Sequence, residues 1–182
     1  MERVICLFIG YVFGLFQTAY FYGKTKGIDI RKYGSGNAGT TNALRVLGTK
    51  AGLIVFAGDC LKCIIAVCIT RALFSTGHPE NIYLLCLYTG AGAVIGHNFP
   101  FYMGFKGGKG IAATAGLILS FHPYFIVMGV VLFFGTFLTT HYVSLGSLLV
   151  YAGFMIQMVV CGQTGLFGTC LLYTSPSPRD TE

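Results

Sequence analysis

Six apolar runs dominate this chain: Val4 to Tyr22, Ala51 to Leu73, Ile82 to Phe99, Ile111 to Phe121, Tyr124 to Thr140 and Leu145 to Val160. A helix that crosses the hydrocarbon core of a bilayer needs about 20 predominantly apolar residues, and all but the run from Ile111 reach or approach that length. Only 10% of the residues are charged, against about a quarter in an ordinary soluble domain. In lipid each backbone N–H and C=O has to be satisfied within its own segment or by packed protein. The expectation is therefore an all-α integral membrane protein, a compact bundle of about six transmembrane helices and not a set of separate domains. The short run from Ile111 ends at His122-Pro123, so it is expected to be a half-helix rising from a loop or part of a broken helix, with protein or a water-filled cavity covering the interruption. The first run is too long for a removable signal peptide and is expected to stay as a helix. Gly10 with Gly14, and Gly92 with Gly96, are small residues at the spacing that lets helix backbones approach closely.

The cations are distributed unevenly between the connections. Lys24, Lys26, Arg31, Lys32, Arg45 and Lys50 fall in the first and Lys106 and Lys109 in the third, whereas the second, residues 74–81, has Glu80 and no Lys or Arg. The positive-inside rule then puts the first and third connections in the cytoplasm and the N-terminus outside. The net charge of +6 reads as topology signal plus phosphate handling; cations confined to short interhelical loops do not suit nucleic acid.

Both basic connections are rich in glycine. The first contains "KYGSGNAGTTNALRVLG", residues 32–48. Its Gly34, Gly36 and Gly39 fit Gly-x-Gly-x-x-Gly, but a dinucleotide fingerprint needs a strand before it and a helix opening directly at its end, and here a charged loop is expected after a lipid-length helix. The local physics survives: glycines free backbone N–H groups to point at an anion, Ser35, Asn37, Thr40, Thr41 and Asn42 add donors, and Arg45 offers a planar fork for phosphate or carboxylate. The second stretch, "GHNFPFYMGFKGGKGIAATAG" from Gly96 to Gly116, is not a nucleotide-binding P-loop, because Lys109 is followed by Gly110 and not by Ser or Thr. Lys106 and Lys109 flank Gly107-Gly108, and a helix is expected to open at Ile111, so amides, a helix N-terminus and two ammonium groups converge. Either loop alone reads equally well as a tight turn with orientation charges; two on one face favour a site.

Other polar residues carry less. His97, at the membrane boundary, reads more readily as a hydrogen-bonded boundary residue than as a catalyst. Asp59 and Lys62, at i and i+3 inside an apolar run, are expected to form a structural or site-supporting ion pair. "HYVSLGS", residues 141–147, is a third polar interruption, in which Ser144 and Ser147 donate to a headgroup or cap the next helix. Cys60 and Cys63 match Cys-x-x-Cys without a second pair and read as core filling. His78, His122 and Cys170 carry no signal. With no acidic cluster and no His/Cys set at ligand spacing, neither metal nor cofactor is expected.

"SGNAGTTN" (Ser35 to Asn42) with Arg45, "GHNFPFYMGFKGGKG" (Gly96 to Gly110) and the Asp-x-x-Lys of Asp59 and Lys62 resemble the bacterial integral-membrane acyl-phosphate:glycerol-3-phosphate acyltransferases, the PlsY family, over residues 1 to about 168 in order and spacing. The resemblance implies transfer of an acyl group from acyl phosphate to the 1-hydroxyl of sn-glycerol 3-phosphate, giving 1-acylglycerol 3-phosphate and inorganic phosphate in bacterial phospholipid synthesis. It implies Ser35, Arg45, His97 and Lys106 as catalytic residues. Gly36, Asn37, Gly39, Thr40, Asn42, Gly107, Gly108, Lys109, Gly110 and Ser144 are implied to bind substrate phosphate, supported by the Asp59–Lys62 pair. The implied partners are acyl phosphate, glycerol 3-phosphate and membrane lipid, for a monomeric, multi-pass protein of the bacterial inner membrane with its site facing the cytoplasm. Soluble-type glycerol-phosphate acyltransferases use a His-x-x-x-x-Asp dyad, but the residues five places after His78, His97, His122 and His141 are Tyr83, Tyr102, Val127 and Gly146. A dedicated strong base is therefore not expected, and substrate phosphate is expected to accept the hydroxyl proton.

The chain departs from the family pattern at Thr40, where Ala is frequent, at Cys63, where Gly is frequent, and at His141, where Arg is frequent. Family members also continue into a seventh helix and a cytoplasmic motif resembling "RHRxNIxRLxxGxE". This chain instead ends "CLLYTSPSPRDTE", so residues 1–168 are expected to form an incomplete acyltransferase domain and 169–182 a disordered, artefactual tail, with weak or absent turnover. Two other classes fit the broken helices and basic loops. They are a transporter for a phosphorylated solute, which repeat symmetry would mark and the sequence does not show, and a non-catalytic lipid-binding or assembly subunit.

Overall fold

The computed structural model describes residues 1–78, 81–121 and 123–163. Regular structure among them is helical: α1 (Glu2–Gly14), α2 (Thr18–Thr25), α3 (Thr40–Leu47), α4 (Thr49–Phe74), α5 (Ile82–Asn98), α6 (Ile111–Leu119), α7 (Pro123–Thr140) and α8 (Val143–Gln163), with 3-10 turns at Ile30–Lys32 and Phe101–Met103. The all-α membrane architecture that the apolar runs predict is the one found. Among the described residues, Glu2–Thr25, Thr49–Phe74 and Ile82–Met103 are long and apolar enough to cross a membrane, and Phe125–Thr140 and Ser144–Gln157 are shorter apolar helices. The chain divides into two compact units, Met1–His122 and a second beginning at Pro123. Glu80, His122, Cys170, the boundary expected after residue 168 and the tail lie outside the described residues.

In the first unit glycine decides how the helices meet. A Cβ on Gly10 or Gly14 of α1 would collide with the Thr89 or Ala93 carbonyl of α5, and one on Gly92 or Gly96 with the Leu7 or Tyr11 carbonyl of α1. The two four-residue pairs are therefore the backbone contact between α1 and α5 that their spacing predicts. Gly116 of α6 lies in the same way against the Cys60 carbonyl of α4, and Cys60 Sγ donates to Ala112 O at 3.1 Å. Between α4 and α5 the buried hydroxyls of Thr70 and Thr89 lie 2.6 Å apart. Thr89 donates its proton to Leu85 O at 3.1 Å, so Thr70 is the donor to Thr89. Arg71 Nη2 donates to Ser120 O at 2.6 Å, placing a cation at the carbonyl end of α6.

The first apolar run is not one continuous helix. α1 stops at Gly14 and α2 starts at Thr18, which frees carbonyls that lipid cannot satisfy. Side chains from elsewhere satisfy them: Lys62 Nζ donates to Phe16 O at 2.6 Å and Gly14 O at 3.3 Å, Tyr102 Oη to Leu15 O at 2.6 Å, and Gln17 Nε2 to Gly14 O at 3.3 Å. Hydropathy could not register this break, since its partners lie 46 and 87 residues away.

The second unit is an antiparallel pair of helices. His141 turns the chain between α7 and α8 in the left-handed region at φ 60°. Thr140 Oγ1 receives Tyr142 N at 3.3 Å, and Phe125 and Phe154 meet edge to face, their centroids 5.4 Å apart.

Candidate active site

The first glycine-rich connection is built around one buried amide. Asn42, 1% exposed, accepts from Ser35 N at 2.8 Å and donates to Ile30 O and Tyr33 O at 3.2 and 3.0 Å. Gly34 has φ +59°, and a Cβ there would run into Asn42 Oδ1, so this turn requires glycine for both reasons. Beneath it Ala19, Ile30, Ala38, Ala43, Val55 and Met103 form a buried apolar cluster. Helix α3 opens at Thr40 with Gly39 as its N-cap and ends at Gly48, φ +88°. A loop was expected there. The signs of the helix were the Gly48 stop and the Ala43, Leu44, Leu47 spacing.

The second connection folds back on the end of α5. Gly107 N donates to Asn98 O at 3.0 Å and Gly108 N to His97 O at 3.1 Å. A side chain at Gly107 would strike the His97 carbonyl, and one at Gly108 would strike His97 Nε2. Gly110, in the left-handed region at φ +77°, caps α6.

These two connections share one cleft. A cavity of about 510 Å³ is lined by Ser35, Gly36 and Asn37 from the first and by Lys106, Gly107 and Lys109 from the second. Asp29, Arg31, Lys32 and Met103 complete its wall; the sequence had offered Arg31 and Lys32 only as orientation charges. Arg31 is held by Asp29 through Nε at 2.9 Å and Nη2 at 2.7 Å, and its guanidinium lies 4.9 Å from the centre of the Tyr20 ring. The Arg31 hydrogen bonds hold the Asp29 carboxyl down at about 2, against desolvation, and the same pair raises Arg31. The usable signal in the sequence was Asp-x-Arg ending two residues short of Gly34. With Arg31 neutralised by Asp29, Lys32, Lys106 and Lys109 are the cations left to meet an anion in this cleft.

Several residues proposed for the site stand elsewhere. Arg45 is exposed on α3 and does not line the cleft. Thr40 Oγ1 is buried without a hydrogen-bond partner, and Gly39 and Gly110 serve as helix caps. Ser144 is exposed in the first turn of α8, within the second unit. His97 is 2% exposed and sits behind Gly108 instead of in the lining, so as a catalytic residue it has no direct approach to the cleft. Its Nδ1 is 2.7 Å from Lys62 Nζ. Asp59 and Lys62 form the expected ion pair, Oδ1 to Nζ 3.0 Å, at 1% and 5% side-chain exposure, and Thr18 Oγ1 donates to Asp59 Oδ1 at 2.9 Å. Among the described residues no three His, Cys, Asp or Glu side chains are grouped to hold a metal ion.

A family model described as glycerol-3-phosphate acyltransferase matches residues 4–175. The glycerol-3-phosphate acyltransferase of Thermoanaerobacter sp. (strain X514) is 43% identical over 150 residues, which cover 81% of this chain and 72% of that protein. The crystal structure of an integral membrane glycerol 3-phosphate acyltransferase, PlsY, in its glycerol 3-phosphate form matches with a TM-score of 0.76 at 31% identity, covering 95% of this chain and 88% of that one. The lysophosphatidic acid form of the same enzyme matches with a TM-score of 0.75 at 30% identity, over 95% and 87%.

Proposed function

Because the chain belongs to the glycerol-3-phosphate acyltransferase family, we propose that it acylates the 1-hydroxyl of sn-glycerol 3-phosphate for phospholipid synthesis, with an acyl phosphate as donor. The observation that carries this reading is the shared cleft, where two glycine-rich connections and three uncommitted lysines converge. Both substrates carry a phosphate, and amides backed by ammonium groups bind that group well. The comparisons give the transporter alternative no support.

In the proposed reaction the glycerol 1-hydroxyl oxygen attacks the acyl carbon. The new C–O bond forms as the acyl C–O bond to phosphate breaks, and inorganic phosphate leaves. Acyl phosphate is a mixed anhydride, so its leaving group needs little protonation and positioning supplies much of the rate. Asp29 is a poor base with its carboxyl held at about 2, and His97 lies outside the lining. These placements support proton transfer from the hydroxyl to substrate phosphate, while Lys106 and Lys109 offset the charge that develops. Ser35, Gly36, Asn37 and Gly107 are assigned to the phosphate cradle, and Asn42 to holding it in shape. Arg45 is kept as a substrate contact from the family resemblance. The cleft is assigned to the cytoplasmic face of the inner membrane, the N-terminus to the outside, and the protein to a monomeric state.

The test is acyl transfer from palmitoyl phosphate to radiolabelled glycerol 3-phosphate in lipidic mesophase. Labelled 1-palmitoylglycerol 3-phosphate with equimolar phosphate release is the expected result in a version with a family-like last helix and motif grafted after Gly168, and weaker transfer is expected from the chain without the graft. Binding of glycerol 3-phosphate with no transfer from any acyl phosphate would overturn the donor assignment, and absence of binding by a folded protein would overturn the substrate.

A further inference from the structure

The ammonium group of Lys62 sits between four acceptors. Its Nζ lies 2.6 Å from Phe16 O, 2.7 Å from His97 Nδ1, 3.0 Å from Asp59 Oδ1 and 3.3 Å from Gly14 O. Lysine has three N–H donors and no acceptor, so His97 Nδ1 can stand at hydrogen-bond distance from it only as a lone pair. Asp59 Oδ1 is 3.7 Å from the same ring nitrogen, too far to hold a proton there. A neutral imidazole with a lone pair on Nδ1 carries its proton on Nε2. That nitrogen lies against Gly108, where a side chain would strike it, and the Ala38 carbonyl of the first connection approaches the same point, 3.0 Å from where a Gly108 Cβ would be. Among the described residues the charged side chains in contact with the ring are Asp59 and Lys62, both from α4, whereas the α1–α2 break and the second connection present backbone and the Gln17 amide.

We infer that Lys62 is a positioning residue: it fixes His97 as the Nε2–H tautomer and so presents a donor, not a base, at the seam where the two glycine-rich connections meet. The inference deepens the acyltransferase reading, because Gly107 beside that seam lines the cleft proposed for substrate phosphate. It joins two observations that are otherwise unrelated, the lysine that closes the helix break and the histidine behind the loop. One buried cation then touches both the helix interruption and the histidine against which the second connection folds.

The experiment is a long-range ¹H–¹⁵N correlation spectrum of histidine-labelled full-length protein in nanodiscs, with His97 assigned by its loss in His97→Gln. The expected pattern is that of a neutral ring protonated on Nε2, unchanged between about pH 5.5 and pH 8, where a free histidine would titrate. A ring protonated on Nδ1, or an imidazolium in that range, overturns the inference. Lys62→Met alone leaves Asp59 uncompensated and invites misfolding, so the companion variant is Asp59→Asn/Lys62→Met, which removes both charges together. In it the His97 ring, still buried, is expected to lose its fixed tautomer, its two nitrogen signals moving toward a mixture of Nδ1–H and Nε2–H forms, with kcat lowered about 10-fold or more. An unchanged His97 spectrum in the double variant overturns the role of Lys62. The wild-type spectrum is independent of turnover, so an Nε2–H ring in a protein that fails to bind glycerol 3-phosphate would sink the acyltransferase reading and leave this inference standing.

Discussion

The side-chain oxygen of Asn42 takes the backbone N–H of Ser35 at 2.8 Å, across seven residues. The same amide ties Ile30 O and Tyr33 O, so one side chain in α3 sets the curvature of the connection that carries Ser35, Gly36 and Asn37 into the cleft. Asn42→Ala strands three backbone groups, of which the Ile30 carbonyl is buried and the other two part-buried, and a buried group left unpaired costs about 1–3 kcal/mol. The expected result is loss of acyl transfer by about 100-fold, through a rise in KM for glycerol 3-phosphate as well as a fall in kcat. Asn42→Asp keeps the acceptor and loses both donors, and is expected to fall between. Wild-type kinetics in Asn42→Ala would show that the turn does not depend on this residue.

At Gly108, as at Gly107, the second connection lies against His97 with no room for a side chain. Gly108→Ala drives a methyl group into His97 Nε2 and crowds Ala38 O, so the connection has to lift from α5, breaking the Gly108 N to His97 O bond. A shift of about 1 Å at the phosphate cradle is worth about 100-fold in rate. Gly27→Ala is the control. Gly27 has positive φ, which Gly108 does not, but meets nothing within 4 Å, so only backbone strain of about 1 kcal/mol is expected there, with kinetics unchanged. Equal activity in the two variants would refute the tight approach.

Which parts of this were legible in the sequence follows from the range of the interactions. The α1–α5 contact was readable because Gly10, Gly14, Gly92 and Gly96 write their close approach as a local spacing, and the two phosphate-type loops because glycine and lysine cluster within each. The break after Gly14 was hidden, because the groups that stabilise it, Lys62 and Tyr102, are remote. Burial of His97 behind Gly108 was hidden for the same reason. Lys32 looked like a topology charge because nothing local distinguishes a cation facing headgroups from one facing a cleft; for Arg31 the one local sign was Asp29, two residues before it.

Asp29 and Arg31 predict a pH dependence with a definite sign. The Asp29 carboxyl is held at about 2 by the Arg31 hydrogen bonds, below the value near 4 of a free carboxylate. A depressed carboxyl stabilises the folded state fully above the unfolded value and loses that contribution as pH falls through the folded one. The difference in unfolding temperature between wild type and Asp29→Asn is therefore expected to stay constant from pH 8 to pH 5 and to shrink from about pH 4 to pH 2. It should amount to a few degrees at most, because a partly exposed pair is screened by solvent. A difference that instead grows on acidification would contradict the assignment.

The packing of α1 on α5 gives the most stringent test of the membrane fold, because it separates stability from chemistry. Gly92 is buried against the Leu7 carbonyl and Tyr11 N, about 7.5 Å of helix before His97 and outside the lining of the cleft. Gly92→Ala cannot be accommodated by rotating a side chain, since the atoms it meets are backbone; the helices have to separate. Close backbone approach at small residues is what holds such a pair in lipid, where no hydrophobic driving force between helices exists. Overpacking of this kind costs about 1–3 kcal/mol, and it should appear as a lower unfolding temperature in detergent and faster loss of fold on dilution of lipid. Molecules that remain folded should keep KM for glycerol 3-phosphate, because the cleft residues are untouched. If Gly92→Ala instead raises KM at full stability, α1 and α5 are coupled to the cleft more directly than their contact implies, and the assignment of these glycines to packing alone fails.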